Sequence, residues 1–339
     1  MKKFLIFILV LAVLIGGAAL YGWNLYQEAG EKPLKTDEQT MEITVESNDN
    51  FSRLFSRLER QGLVKKLLLT RIYFKNNPVE TNLKPGTFVV SAQGSLEEII
   101  TELNQGKDIY EIKVTIPEGM NIEGMAEIFE EAGLFSKRFF IDAVNSYITP
   151  SWLDNVDQRR FTLEGFLAPA PYTLRKEQTP GYVVDLMYKT FVNRMYSIIE
   201  EKGLDLPTEE WNRVVTIASM IERETATIEE MPRISGVMQN RLNDNMRLQI
   251  DATVIYALGL TAKDKVTLDD LEVSSPYNTY KIGALPVGPI SNPGEASIKA
   301  ALEPEAHDYI YYILDPTVGE HFFTRSYDEF LQKKREFQG

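Results

Sequence analysis

The chain begins with two lysines and an unbroken apolar run. Lys2 and Lys3 precede residues 4–23, a stretch of twenty residues without a charge. A helix needs about 20 apolar residues to cross the hydrocarbon core of a bilayer. We therefore predict that residues 1–23 form a short cytoplasmic stub and one transmembrane anchor, with the rest of the chain outside the cytoplasm. A cleaved signal peptide is the alternative, but Tyr21 and Trp23 extend the apolar run and favour a retained anchor.

Residues 24–41 are polar and indicate a tether. After them, the apolar positions switch between two-residue alternation and helical periodicity. The predicted elements, in order, are a strand at 41–45, helices at 50–60 and 65–75, a strand at 86–90 and a helix at 95–103. This pattern predicts a small βα module over residues 42–110.

A shift of 71 positions aligns two parts of the sequence without a gap. The paired positions are 43–45 with 114–116, Asn50 with Asn121, Glu59 with Glu130 and Gly62 with Gly133. The apolar face of the intervening helix is kept as well, so a repeated strand–helix unit with a connector is predicted at residues 111–154. Chance similarity between two such units is the alternative, because the strict matches are few.

The pattern beyond residue 150 is mainly helical. Helical periodicity occurs at residues 181–201, 209–227 and 233–243, and from residue 250 onward short elements lie between loops rich in Pro, Gly, Asn and Ser. We predict a second, larger domain over residues 155–339. Together, these elements predict an α+β protein.

The amino-acid composition limits the partners that the protein can bind and the catalytic groups that it can use. With 36 Lys and Arg against 49 Asp and Glu, the net charge is −13, so we expect no nucleic-acid partner. The sequence has no cysteine and two histidines, His307 and His321, which leaves little for a metal site or a Ser-His-Asp triad. We therefore expect neither metal nor cofactor, and we expect carboxylates to carry any acid–base chemistry.

The helix predicted at residues 209–227 carries two carboxylates near its end, Glu222 and Glu224. At about 100° per residue, Glu222 lines up with Trp211 and Ala218, whereas Glu224 lies at the edge of the apolar stripe. We therefore expect Glu222 to be the more buried of the two. Because burial raises the pKa of a carboxyl, Glu222 is the candidate proton donor. An ordinary surface glutamate at a charged helix end is the alternative.

Polar side chains on stiff loops form a second set of candidates. The loops around residues 246–251 and 275–294 combine amides and tyrosines with frequent Pro and Gly. Rings that pack on sugar C–H faces and amides that bond hydroxyls are typical of carbohydrate recognition. We predict a glycan-binding groove lined by Gln249, Asp251, Tyr277, Asn278 and Asn292. The alternative for these residues is to brace the turns around them. A ligand-binding imidazole is a further candidate at His321, and its alternative is a structural role.

Four ordered strings resemble the MltG (YceG-like) family of endolytic murein transglycosylases. Residues 217–225, IASMIERET, match the family signature A-S-[IM]-[IV]-E-[KR]-E-T. The other strings are LEGFLAPAPY at 163–172, VMQNRLNDNMRLQIDATVIY at 237–256, and SPYNTY with LPVGPISNPG within 275–294. The resemblance covers nearly the whole chain.

The resemblance implies a single-pass plasma-membrane protein with a cytoplasmic N-terminus, a LysM-like module near residues 42–110 and an extracytoplasmic YceG-like catalytic domain from about residue 155. It implies cleavage of nascent peptidoglycan strands between N-acetylmuramic acid and N-acetylglucosamine, which leaves a 1,6-anhydro end and terminates elongation. The implied partners are glycan strands and cell-wall synthases. The family's catalytic acid/base falls on Glu222. One carboxylate can serve, because the muramic acid's own 6-hydroxyl attacks the anomeric carbon.

Two strings depart from the family pattern. Where the family reads F-P-D-T-Y, this chain has Ala168-Pro169-Ala170-Pro171-Tyr172, and where it reads D-P-T, this chain has Asp251-Ala252-Thr253. The first change puts a role for that loop's acid in doubt. Two other functions remain open: a glycan-binding envelope scaffold without catalysis, and a muramidase that hydrolyses with water.

Overall fold

The computed structural model of this protein describes residues 2–106, 108–154, 158–260 and 266–338. Contacts between Cα atoms divide the chain into two units, Met1–Glu111 and Ile112–Gly339. The described strands form three separate two-stranded sheets, and helices make up most of the rest. The predicted α+β class is therefore confirmed.

The first unit consists of a long helix followed by two strands and three helices. In chain order they are α1 (Lys2–Glu31), β1 (Thr40–Val45), α2 (Phe51–Arg60), α3 (Leu67–Asn76), β2 (Gly86–Ser91) and α4 (Leu96–Gln105). Strands β1 and β2 pair antiparallel, with Ile43 opposite Phe88. The helices cover one side of this pair, and their apolar faces form a core around Leu54, Phe55 and Ile99. All five elements predicted between residues 41 and 103 are present.

Helix α1 is long and apolar enough to cross a membrane. No residue of its most apolar stretch is buried against the rest of the unit. The helix does not end where the apolar run ends, however. Its last turns pack on α3, where the Tyr26 and Tyr73 rings lie 5.2 Å apart and Lys66 Nζ lies 2.6 Å from Glu28 Oε2. A Cβ on Gly30 would collide with the Tyr73 ring.

The expected tether at residues 24–41 is therefore largely ordered. Polar composition indicated a flexible segment, but Ala29 and Leu34 are buried and supply the apolar contacts that hold it. Leu34 forms an isolated antiparallel bridge to Val64. Small and apolar residues spaced along a polar segment were enough to attach it to the first unit.

The second unit begins with strand β3 at the boundary and is dominated by helices. Its elements are β3 (Glu111–Thr115), α5 (Ile122–Glu131), α6 (Lys137–Asn145), α7 (Ser151–Asp154), β4 (Pro171–Arg175), α8 (Pro180–Lys202), α9 (Trp211–Glu224), α10 (Met231–Asn243), α11 (Asp251–Ala257), α12 (Glu295–Leu302), β5 (Tyr311–Asp315), β6 (Glu320–Thr324) and α13 (Tyr327–Gln338). Strand β3 pairs with β4, and β5 pairs antiparallel with β6.

The 71-residue repeat recurs in the local structure. Asn50 caps α2 by accepting a hydrogen bond from Arg53 N at 3.0 Å, and Asn121 caps α5 by accepting one from Gly124 N at 2.9 Å. Both helices end at a left-handed glycine, Gly62 with φ 77° and Gly133 with φ 71°. Equivalent caps and turns therefore bound the two helices, as the aligned residues predicted.

The repeated strand–helix element shares a core with the later helices of the second unit. Val114, Met125 and Phe129 pack in one cluster with residues as distant as Ile298. The contacts thus place residues 112–154 in the same unit as the residues that follow them, and not in a separate piece. The predicted domain start at residue 155 lies outside the described residues.

Helix α9 lies at the centre of the second unit. Its residues Val214, Val215 and Ala218 belong to one apolar cluster, while Ile217, Met220 and Ile221 belong to another. Thr216 and Ser219 are buried as well. Between Val214 and Ile221 the helix is therefore covered on all sides, which differs from the single apolar stripe that the sequence suggested.

Candidate active site

The last turn of α9 directs its two carboxylates to opposite flanks. Glu222 and Glu224 are two residues apart, which corresponds to a rotation of about 200° around the helix axis. Each residue is half-buried. The structure therefore does not distinguish Glu222 as the more inward of the two residues.

On the first flank, Glu222 meets the beginning of α12. Its Oε2 accepts a hydrogen bond from Gly294 N at 2.9 Å and another from the Ser297 hydroxyl at 2.7 Å. Gly294 is the residue that precedes α12, and Ser297 lies in its first turn. Glu222 is thereby fixed between the end of one helix and the beginning of another.

A second carboxylate, Glu118, lies on the same flank. It stands in the turn after β3, and a Cβ on Gly294 would collide with its carboxyl group. A Cβ on the next residue of this turn, Gly119, would lie 3.2 Å from Glu222 Cγ. Partial burial of the carboxyl, followed by the negative charge of Glu222, raises the pKa of Glu118. The sequence reasoning missed this residue.

Asn292 holds the turn of Glu118 against the loop before α12. Its backbone N–H donates to Met120 O and its carbonyl accepts from Gly119 N, both at 2.9 Å. Its side-chain Nδ2 donates to Met120 O at 3.0 Å, and its Oδ1 accepts from Leu167 N at 2.9 Å. Asn292 is fully buried, so its amide braces the site and does not face a groove.

Glu164, from the LEGF string, lies beneath this brace. It is 1% exposed and accepts hydrogen bonds from Asn292 Nδ2 at 2.9 Å and from the Tyr256 hydroxyl at 3.0 Å. Burial raises the pKa of Glu164 to about 8, although hydrogen bonds from the Tyr256 hydroxyl and from Ile122 N oppose the shift. A buried carboxyl thus ties together three chain segments that are distant in sequence.

On the opposite flank, Glu224 faces a cavity of about 510 Å³. Burial raises the pKa of Glu224 to about 7, against the effect of the Tyr312 hydroxyl, which donates to Glu224 Oε2 at 2.9 Å. Asp251 lines the same cavity and accepts a hydrogen bond from the Tyr280 hydroxyl at 2.5 Å. Glu224 is therefore a carboxyl of α9 whose pKa lies near neutrality.

Of the remaining predicted groove residues, Gln249 and Asp251 are exposed and line this cavity. Asn278 is fully buried, and its Nδ2 donates to Leu271 O at 2.9 Å and to Val273 O at 2.8 Å. Tyr277 is 4% exposed, and its hydroxyl accepts from Arg160 N at 3.2 Å. Burial and internal hydrogen bonds favour the bracing role for Tyr277, Asn278 and Asn292 over contact with a ligand.

The histidines take part in internal contacts. His321 Nδ1 lies 3.0 Å from Glu230 Oε2 beneath β6, and His307 Nε2 lies 2.9 Å from Arg233 O. Within the described part of the chain, no group of three or more His, Asp or Glu side chains could hold a metal ion. His321 thus has a structural partner.

The two departures from the family pattern include Ala170 and Ala252, where the local backbone structure does not depend on the family's side chain. Ala170 contributes a backbone carbonyl that accepts from Ile116 N at 3.0 Å, a bond that does not depend on its side chain. Ala252 is in the first turn of α11, where either proline or alanine is compatible with the helix. Neither change alters the surroundings of Glu222 directly.

Comparison with known proteins adds three relatives. The chain is 31% identical over 338 residues to the endolytic murein transglycosylase of Bacillus subtilis, an alignment that covers 96% of this chain and 91% of the relative. It is 28% identical to the endolytic murein transglycosylase of Streptococcus pneumoniae, over 97% of this chain and 64% of that protein. A crystal structure of a yceG-like protein from Listeria monocytogenes matches 88% of this chain and all of its own, with 28% identity and a TM-score of 0.57.

The profile of the YceG-like family matches residues 43–336. This range includes the loop of Glu118, both carboxylates of α9 and the beginning of α12. The match therefore covers both units and the whole of the candidate site, and the chain belongs to the YceG-like family.

Proposed function

We propose that this protein is a membrane-anchored endolytic lytic transglycosylase that cleaves peptidoglycan glycan strands between N-acetylmuramic acid and N-acetylglucosamine. The full-length similarity to proteins named endolytic murein transglycosylase supports this proposal. The observation that carries it is the position of Glu222, held by Gly294 and Ser297 at the end of the central helix. Such a fixed carboxylate is what proton transfer in glycosidic cleavage needs.

In this reaction the bond between the anomeric carbon and the leaving oxygen breaks while the 6-hydroxyl of the same sugar attacks. Intramolecular attack replaces water, and the product is a 1,6-anhydro end. The protein must supply a proton to the leaving oxygen and accept one from the attacking hydroxyl. Carboxylates can do both, and the chemistry requires no metal.

The test is Glu222→Gln in the full-length protein, with Glu224→Gln as the matched control on the same helix turn. An amide cannot transfer the proton, so Glu222→Gln should lose about 10² to 10⁴ in rate. Glu224→Gln should lose far less. Mass spectrometry of digested glycan strands measures both the rate and the chemical nature of the new ends. Wild-type turnover by Glu222→Gln would contradict the assignment.

Hydrolysis with water is the second candidate function, and Glu224 and Asp251 favour it. A hydrolysing glycosidase uses two carboxylates, one of them protonated near neutrality. Glu224 has a pKa raised to about 7 by burial and shares its cavity with Asp251. Reducing ends in the product, together with loss of activity in Glu224→Gln, would favour this function. A non-catalytic scaffold would yield no new ends at all.

We further propose that residues 42–110 form a LysM-like module that binds glycan. Their order of strand, helix, helix and strand, with β1 and β2 paired antiparallel, supports this assignment. The apolar helix α1 supports a single-pass anchor in the plasma membrane. Lys2 and Lys3 before it support a cytoplasmic N-terminus and an extracytoplasmic body. There the enzyme would meet nascent strands beside cell-wall synthases and terminate their elongation.

A further inference from the structure

We propose that Glu118 and Glu222 divide the two proton transfers of the reaction: Glu118 gives a proton to the leaving oxygen, and Glu222 takes the proton of the attacking hydroxyl. This inference rests on the proposed function. It differs from the expectation that a single glutamate performs both transfers, and it adds a residue from the turn after β3 to the catalytic centre.

The first argument is that one backbone unit, Gly294, is shared by the two carboxylates. Its N–H donates to Glu222 Oε2 at 2.9 Å, and its Cα lies so close to the Glu118 carboxyl that a Cβ would collide with it. The backbone of Gly119 approaches Glu222 from the other direction. Both carboxyl groups thus lie against the same backbone unit at the beginning of α12.

The second argument is that the two carboxylates have different surroundings. Glu222 Oε2 already accepts hydrogen bonds from Gly294 N and from the Ser297 hydroxyl, which is the arrangement of a group that acts as an acceptor. No donor to the other oxygen of Glu222 is found among the described residues, so Oε1 is available to take a proton.

Glu118 is placed to retain a proton. Burial, the charge of Glu222 and, more weakly, the charge of Glu295 raise the pKa of Glu118, while Arg194 on α8 and a backbone hydrogen bond from Glu295 oppose the shift. A raised pKa favours the protonated form of Glu118, which is the form that a general acid needs.

The third argument is that the turn of Glu118 is firmly held. Backbone hydrogen bonds join Gly119 and Met120 to Asn292, and Arg223 Nη1 donates to Gly119 O at 3.3 Å. Arg223 stands between the two carboxylates of α9 in sequence, so the helix that carries Glu222 also fixes the turn of Glu118. A general acid needs such a fixed position, because small displacements cost much of its effect.

The reaction balances with these two groups. The Glu118 carboxyl donates its proton to the leaving oxygen, which keeps the electron pair of the broken C–O bond. The 6-hydroxyl oxygen forms the new bond to the anomeric carbon, and its proton goes to the Glu222 carboxylate. Afterwards the proton returns from Glu222 to Glu118 through solvent, so that no other reactant is consumed.

The test uses two substrates that differ in their need for an acid. Glycan strands have a sugar leaving group that must be protonated, whereas a β-dinitrophenyl glycoside of N-acetylmuramic acid has a leaving group that needs no proton. Full-length Glu118→Gln should lose about 10² to 10⁴ in kcat on strands. On the activated glycoside it should approach the wild-type rate, while Glu222→Gln should be slow on both substrates.

Glu295→Gln is the matched control, because it removes a nearby charge at the same helix end and should change kcat only a few-fold. The wild-type kcat/KM on strands should decline as the pH rises through the raised pKa of Glu118, and Glu118→Gln should lack this decline. Glu118→Asp, which keeps the acid, should be impaired on strands only and provides a second variant should Glu118→Gln fold poorly.

Two outcomes would overturn the inference. Wild-type rates of Glu118→Gln on strands would show that Glu118 is not the acid, and equal losses on both substrates would show that it does not protonate the leaving group. Failure of the proposed function looks different, because the wild-type protein itself would then form no anhydro ends.

Discussion

Glu164 shows how a single buried carboxyl couples stability to pH. Its pKa is raised to about 8 in the folded protein by burial, whereas an unfolded chain has a value near 4.5. The folded state therefore binds more protons than the unfolded state between these values. The stability that this difference contributes is complete below about pH 4.5 and is lost as the pH rises through about 8.

We predict that Glu164→Gln, which cannot ionise, will reduce the fall in unfolding free energy between pH 5 and pH 8.5. Urea denaturation at several pH values measures this slope. Glu224, whose pKa is raised to about 7, adds a slope of the same sign, so the variant should flatten the profile and not abolish it. An unchanged slope would show that Glu164 is ionised in the folded protein.

Contacts between residues distant in sequence could not be predicted from the sequence. The string around Glu222 identified one carboxylate of the site, but Glu118 is brought beside it by contacts such as Arg223 with Gly119 and Asn292 with Met120, which are 104 and 172 positions apart. Periodicity describes only neighbours along one element. The polar character of Asn278 and Asn292 indicated sugar contacts, whereas in the fold their amides satisfy buried backbone groups.

Among the elements, the beginning of α12 is the part of the site with least room for change. Gly294 has an ordinary φ of −76°, so its constraint comes from the neighbouring Glu118 carboxyl and not from backbone strain. We predict that Gly294→Ala will displace Glu118 and lower kcat by about 10²-fold, because displacements near 1 Å have effects of this size.

The control for Gly294→Ala is Gly283→Ala, in the same long loop, where an added Cβ meets nothing within 4 Å. Activity and melting temperature should be measured on the same preparations. Normal turnover by Gly294→Ala would mean that the loop can adjust, and the close approach of Glu118 to Gly294 would then have no bearing on catalysis.

The two copies of the strand–helix element offer a matched pair of substitutions. Gly62 and Gly133 both end a helix with positive φ and open space around an added Cβ. Alanine there should cost about 1 kcal/mol through backbone conformation alone. Gly181→Ala, where no positive φ is involved, should be neutral by comparison.

Trp152 and Trp211 lie in the second unit and Trp23 lies in the first, so tryptophan fluorescence can separate the two substitutions when both are made in a Trp23→Phe background. Gly133→Ala should shift the fluorescence unfolding midpoint, and Gly62→Ala should shift mainly the helical signal of the first unit. Unequal costs would indicate that the repeat is similar in sequence and backbone but not in energetics.

The periodicity of apolar residues predicted the individual helices and strands better than it predicted how they pack together. Strand β1, helices α2 to α4 and strand β2 could be predicted because each alternates or repeats its apolar positions over a few turns. The all-round burial of α9 could not be predicted, since its second covering layer comes mainly from α10, α11 and the loop that precedes α12. For the same reason, the angular argument could not rank Glu222 and Glu224, which are both half-buried.

For the whole molecule, we predict that the full-length protein sediments with membranes and resists extraction by high salt, because residues 4–23 would be buried in lipid.

Gly30→Ala should leave this behaviour unchanged but expose residues 32–40 to a lysine-specific protease, since its Cβ collides with Tyr73 and separates α1 from α3.

Gly22→Ala serves as the control, because the same helix has open space at that position. Recovery of a soluble mature protein that begins near Leu20 would instead establish a cleaved signal peptide. Equal protease sensitivity of the two glycine variants would show that the contact between α1 and α3 does not hold the segment.

The continuity of α1 also sets a height above the membrane. Residues 24–31 extend the helix beyond Trp23 without a break and dock on α3. At about 1.5 Å per residue, this extension spans roughly 12 Å. A stiff spacer of this length, unlike a flexible one, would keep the first unit close to the bilayer surface. For the proposed enzyme, newly made strands would then lie closer to the first unit than the older layers of the wall.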